Sequence, residues 1–250
     1  MKEKVQKPVC LITGVGDGTG TALVKRFIKG GYQVAMVARN KERLTKLALQ
    51  YNEAHAYCCD VSDLKALEDT VNLIRNERGF VSVLIHNAVS HSFGRFLETK
   101  PELLEQNFRV NTTALLYLAR FLAPDMIKAQ TGTIIATGNT ASHRGVPTYA
   151  LFAPTKASQR ILCQALAREL GPKRIHVAYV SVDAAIDVTW IEKADGKIPD
   201  WLSPPKDWPW PREDFFTSTV AIADEVYHMA HQHHSAWSFE TTIRPFAENW

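Results

Sequence analysis

No stretch of this 250-residue chain reaches the roughly 18 consecutive apolar residues that a membrane-crossing helix requires, so no membrane span is expected. No sign of charge prevails either. The 29 basic and 26 acidic residues are well mixed and leave a net charge of +3, which argues against a nucleic-acid-binding stripe or a membrane-surface patch and for a small-molecule ligand. Cysteine is scarce, with four in the chain. Cys58 and Cys59 are neighbours on an expected strand and point to opposite faces, which excludes a shared metal. With Cys10 and Cys163 they read as core thiols of a protein in a reducing, cytoplasmic setting. Positions 1–7 are polar, with no apolar signal core behind them. His228, His231, His233 and His234 straddle an expected helix end without a carboxylate or thiolate beside them, where they complement the helix dipole rather than bind metal. No linker-like run interrupts the alternation of strand and helix patterns, so one α/β domain over 1–250 is expected.

What is present centres on Thr13-Gly14-Val15-Gly16-Asp17-Gly18-Thr19-Gly20, which follows an apolar run at 9–12 and leads into a helical pattern over about 21–30. Strand, glycine turn and helix in that order make a phosphate cradle. Gly14 permits the tight turn, Gly18 lets backbone approach a pyrophosphate, and Gly20 lets the helix lie close on the strand. The helix then aims its free N–H groups and positive dipole end at the anion. A second buried parallel strand, 33–38, ends at Arg39-Asn40. A dinucleotide site places here the side chain that meets the adenosine ribose: a carboxylate suits the 2′-hydroxyl of NAD, an arginine the 2′-phosphate of NADP. Arg39 stands there, with Lys41 and Arg43 behind it and no acid, so NADP (NADPH) is the expected cofactor. A solvated arginine at a helix start is the competing reading.

Helices over about 41–51 and 64–77 and strands near 54–59 and 81–86 follow. Asp60 is well placed to meet an adenine, and Asn87-Ala88 makes a turn suited to packing against the cofactor. A long helix over about 101–130, a strand at 132–137, a helix at 154–170, a strand at 175–180, a last helix at 221–232 and a strand at 237–243 complete a Rossmann-type, doubly wound parallel sheet of about seven strands flanked by helices. Leu115, Leu116, Leu118 and Phe121 on the first of these helices, and Ile161, Leu162, Leu166 and Leu170 on the second, are apolar over an arc that needs cover on more than one side. A homodimer or homotetramer is expected, with a thicker monomer core as the alternative. Between 184 and 216 lie four of the six tryptophans, Trp190, Trp201, Trp208 and Trp210, and several prolines, with no helical or strand period. A loop this long reads as a substrate lid with an apolar inner face, or else as a subunit contact.

Over about residues 8–182 the chain resembles the short-chain dehydrogenase/reductase family. The family's Thr-Gly-x-x-x-Gly-x-Gly is met by Thr13, Gly14, Gly18 and Gly20, its Asn-Ala-Gly turn in part by Asn87-Ala88 before Val89, its helix asparagine by Asn111 and its lysine by Lys156. The resemblance implies an NAD(P)H-dependent oxidoreductase in which Lys156 holds the nicotinamide ribose and the 101–130 and 154–170 helices pack against partner subunits.

The family's proton-donating tyrosine should stand four residues before the lysine, where this chain has Phe152, and its serine thirteen residues earlier still, where it has Asn139. Phenylalanine has no proton to give; an amide can donate a hydrogen bond and replaces the serine in part. The Pro-Gly pair expected after the sixth strand is Val182-Asp183 here. Tyr149 precedes Lys156 by seven residues, and this Tyr-x6-Lys spacing resembles the enoyl-thioester reductases. Reducing an activated C=C puts negative charge on a more distant oxygen, which requires a more distant donor. The expected catalytic set is therefore Tyr149, Lys156, Asn111 and Asn139, acting on a small apolar substrate. The alternative is a chain that binds NADP without turnover, as a sensor or partner subunit, since Gly14, Gly18, Arg39 and Lys156 can grip it with no proton donor. His143 as a surrogate acid for carbonyl chemistry is a third reading.

Overall fold

Strands that are apolar at almost every position are stable only where both sheet faces are covered. β1 (Val9–Thr13) and β6 (Ile175–Val182) are buried along their whole length, and β2 (Gln33–Ala38) and β4 (Val81–His86) nearly so. The computed structural model describes residues 7–187, 204 and 206–247. Among them, these strands join β3 (Ala54–Cys58), β5 (Gly132–Asn139) and β7 (Glu240–Ile243) in one seven-stranded sheet, ordered β3-β2-β1-β4-β5-β6-β7 and parallel throughout. The expected doubly wound sheet is the one observed.

Helices α1 (Thr19–Lys29), α2 (Lys41–Gln50), α3 (Leu64–Arg78), α4 (Glu102–Phe108), α5 (Ala114–Ala129), α6 (Ala153–Leu170) and α7 (Thr219–Ala230) flank it. Leu23, Phe27, Leu44, Ile222 and Val226 cover one face from α1, α2 and α7; Leu67, Ile74, Leu118, Met126 and Cys163 cover the other from α3, α5 and α6. Asn40 caps α2 through its side-chain oxygen, Asp63 caps α3 and Ser218 caps α7, each worth about 1 kcal/mol. No side chain caps α1, whose N-cap position is Gly18.

Three expectations change. The long helix over 101–130 is α4 and α5 joined by a π turn at Arg109–Thr113; one inserted residue is invisible to a 3.6-residue period, yet it releases carbonyls from the helix ladder. The last strand covers only 240–243 of the expected 237–243. Cys58 is exposed while Cys59 is buried, so their opposite directions hold, but Cys58 is no core thiol because β3 is an edge strand. Residues 188–203 and 205 of the expected lid, with Trp190 and Trp201, lie outside the described residues. Among the described residues no helix is long and apolar enough to cross a membrane, and no group of three or more His, Cys, Asp or Glu is placed to hold a metal.

The π turn is tied to the centre of the sheet by His86, fully buried at the end of β4. Its Nε2 lies 3.0 Å from the Val110 carbonyl and its Nδ1 3.0 Å from the Thr13 hydroxyl. A carbonyl only accepts, so Nε2 carries the proton and Nδ1 accepts from Thr13. The ring is held neutral: burial, and after it the nearby Lys156 charge, pushes its pKa down to about 4. The unfolded chain protonates near 6.5 and the folded protein only near 4, so this contribution to stability is complete above 6.5 and is lost as pH falls through the folded value, about 3 kcal/mol over the window. Denaturant titrations of the wild type and His86→Gln between pH 7 and 4 should therefore show a steeper loss of stability in the wild type, by close to one proton.

Candidate functional site

At the carboxyl ends of the strands, between β1 and β4 where the strand order reverses, lies a cleft of about 1370 Å³. This is the switch-point crevice that open α/β sheets use for ligands. Its floor is the glycine loop. Gly14 has φ +71°, and a Cβ there would sit 2.5 Å from the backbone of Ala88; one on Gly20 would meet the Gly14 oxygen at 2.6 Å. Both positions admit no side chain, and the uncapped start of α1 faces the same space.

Of the expected site residues, Gly14, Gly18, Gly20, Arg39, Asp60, Asn87, Asn139, Tyr149 and Lys156 all line this one cleft. Arg39 is exposed at the rim beyond β2. Asp60 accepts from the Ser62 N–H at 2.9 Å and hydroxyl at 2.8 Å. Asn87 donates to the Gly14 carbonyl at 2.9 Å and accepts from the Thr137 hydroxyl at 3.0 Å, which ties the glycine loop to β5. Asn111 is buried behind the cleft. Its oxygen accepts from Ser90 N–H, and its nitrogen donates to the Ser90 carbonyl and the Thr155 hydroxyl, so it joins the 90s loop to α6.

The chemistry end is aromatic. Phe152 is buried, and Phe93 packs against it at 5.2 Å between ring centroids, against Tyr149 at 4.7 Å and against His91 at 5.2 Å. Tyr149 follows Thr148, whose φ of +70° is a strained value for a β-branched residue; the Thr148 carbonyl is held by Gly94 N–H at 2.9 Å. Tyr149 thus stands on the turn just ahead of α6, lining the cleft on one side and a smaller cavity of about 330 Å³ on the other. Lys156 is 2% exposed, and its Nζ donates to the Thr137 carbonyl at 3.0 Å and to the Gln159 amide oxygen. Burial pushes its pKa down to about 7.

His143 lines the smaller cavity rather than the cleft and faces Glu240 at 2.8 Å; Arg160 grips the same carboxylate with two nitrogens. Asp183, where a Pro-Gly pair was expected, accepts from the Thr140 hydroxyl at 2.6 Å and lies 3.8 Å from Arg244. The 140s segment is therefore held by carboxylates from β7 and from the end of β6. Among the four histidines near the end of α7, His231 meets the Tyr32 hydroxyl at 3.0 Å and the Tyr227 carbonyl at 2.7 Å, a structural role.

The family model described as short chain dehydrogenase matches residues 8–191. The chain belongs to the short-chain dehydrogenase family. As such it is an oxidoreductase by family. It is 30% identical over 172 residues to L-xylulose reductase of Bos taurus, a match covering 68% of this chain and 69% of that protein. Carbonyl reductase [NADPH] 2 of Sus scrofa is also 30% identical, over 68% of this chain and 69% of its own length. A metagenomic short-chain oxidoreductase solved with NADP superposes with a TM-score of 0.78 over 95% of this chain and 97% of that one, at 24% identity, a likeness of fold.

Several residues of this short-chain dehydrogenase site escape sequence reasoning. Asp17, inside the glycine loop, pairs with Arg43 at 2.9 Å, a contact between segments that no local pattern links. Phe93 and His91 come from a loop with no motif. Gln159 was findable, since it stands one helical turn beyond Lys156 on the same face.

The Asn87 bridge yields a stability test. Asn87→Ala removes both of its hydrogen bonds and should lower unfolding stability by about 1–3 kcal/mol, read as a shift in denaturation midpoint at constant slope.

Proposed function

We propose that this short-chain dehydrogenase binds NADPH in preference to NADH and reduces an activated carbon–carbon double bond in a small apolar substrate, with Tyr149 as the proton donor. The observation that carries the reading is that Tyr149, Lys156 and Asn139 line one cleft, and that Phe152, which lines it with them as a buried ring, leaves Tyr149 as the phenol there. The cofactor fits the residues present. Gly14 and Gly20 leave a cradle that a Cβ would fill, and the uncapped end of α1 offers N–H groups to a pyrophosphate. Arg39 and Arg43 at the rim suit a 2′-phosphate, and Lys156 would hold the nicotinamide ribose. A relative's name, carbonyl reductase [NADPH] 2, agrees with the choice of cofactor.

Bound NADPH supplies the hydride. The residues of this chain do the rest. The wall of Phe93, Phe152 and Tyr149 excludes water and takes an apolar substrate against its rings. The Tyr149 hydroxyl donates to the carbonyl oxygen on which negative charge grows as the β-carbon is reduced, and Asn139 adds a second polar contact. Leu116 on α5 and Ile161 on α6 are 42% and 55% exposed, which supports a homodimer or homotetramer built on these helices.

The second reading is NADP binding without turnover, and the observation favouring it is Phe152 itself. The two divide cleanly. With 2-enoyl thioesters or conjugated ketones the reductase reading expects NADPH oxidation, and Tyr149→Phe should lower kcat about 10²- to 10⁴-fold with little change in cofactor affinity. A panel with no NADPH consumption supports the silent reading, and there Phe152→Tyr should create weak carbonyl reduction. Cofactor choice is tested separately. NADPH should bind about ten- to a hundredfold more tightly than NADH, from a charge-assisted contact of roughly 1.5–3 kcal/mol, and Arg39→Asp should reverse the order; equal dissociation constants would sink the assignment.

A further inference from the structure

Gln159 is completely buried on α6, a costly place for an amide unless both of its ends are paired. They are. Its Nε2 donates to the Asn111 carbonyl at 2.6 Å, and its Oε1 accepts from Lys156 Nζ. The amide can sit only this way round, because the flipped orientation would set NH₂ against an ammonium and oxygen against a carbonyl. The carbonyl it meets belongs to the π turn, Arg109–Thr113, where the helix ladder releases such groups. Lys156 has three N–H bonds to place. One goes to the Thr137 carbonyl and one to Gln159, which leaves one for the cleft that Lys156 lines.

We propose that Gln159 is a positioning residue: it locks Lys156 between β5 and the π turn so that the remaining N–H of the ammonium is aimed into the cleft. The acceptors given to Lys156 are both neutral, a carbonyl and an amide. The titratable groups facing it are His86 from β4 and Cys163 two turns further along α6, and neither brings a negative charge, since burial pushes the Cys163 thiol up to about 12 and His86 stays neutral. Gln159 therefore also governs how readily Lys156 holds its proton: an acceptor there supports the ammonium, an apolar side chain would not, and a carboxylate would over-support it. The role of the aimed N–H rests on the reading of Lys156 as the holder of the nicotinamide ribose.

The test separates the two. In lysine-labelled protein without cofactor, the Lys156 ¹³Cε resonance, identified by its loss in Lys156→Ala, is titrated by NMR. Gln159→Glu should raise its midpoint by at least one pH unit and Gln159→Met should lower it. NADPH titration then runs a double-mutant cycle: Gln159→Met should weaken binding about tenfold in the wild-type background and have no effect in Lys156→Ala. Gln159→Glu keeps the test decisive should the methionine variant fail to fold. Midpoints that stay where the wild type has them, or a loss of NADPH binding in Gln159→Met that persists undiminished in Lys156→Ala, overturn the proposal. Midpoints that move while NADPH binding is indifferent to Lys156→Ala uphold the clamp and remove the ribose reading instead.

Discussion

The whole site depends on one close approach of backbone to backbone, where the turn after β1 lies against the turn after β4 with no room for a side chain on Gly14. That contact exists because β1 and β4 are neighbours in the sheet although they are far apart in sequence, and because the connections from them run to opposite faces. A crevice opens at this point in any doubly wound sheet. Here Thr13, His86 and Asn87 lock its two lips together with hydrogen bonds that reach from β1 to the π turn and to β5. The cradle is thus made of backbone, tied in place by neutral polar groups, and it lies apart from the aromatic far end of the cleft.

That far end has been rebuilt. Where the family pattern has a tyrosine, Phe152 packs into an aromatic wall with Phe93 and Tyr149. Where it has a serine, Asn139 lines the cleft. Where it has Pro-Gly, Asp183 holds the 140s segment through Thr140. These changes are mutually consistent. They put an apolar ring at one position of the donor pair and an amide at the other, keep Lys156 in place, and leave Tyr149, on a strained turn, as the phenol at the mouth of α6.

The fold was legible in the sequence because buried parallel strands write themselves as continuous apolar runs, and the cradle because only glycine fits its turns. Arg39, Asp60, Asn87, Asn139, Tyr149 and Lys156 could be placed in one cleft from their positions at strand ends and on one helix start. Other features were not readable, for stated reasons. The π turn adds a residue without disturbing the apolar pattern. Asp17 and Arg43 meet across a gap in sequence, and their charges look like any other surface pair. Asn111 matched a motif, yet its side chain serves the 90s loop rather than the cleft lining. His143, a candidate acid by position, lines the smaller cavity and faces Glu240 on β7, a long-range contact that no local pattern reveals.

The central claim is that the proton donor has moved from the Phe152 position to Tyr149 while the cofactor grip stayed. A crystal structure of the NADPH complex with a conjugated thioester analogue tests it most directly. The account predicts the Tyr149 hydroxyl turned into the cleft, within hydrogen-bond distance of the analogue's carbonyl oxygen, with Phe152 packed behind it. Tyr149 turned into the smaller cavity, leaving Phe152 alone against the bound analogue, would contradict it.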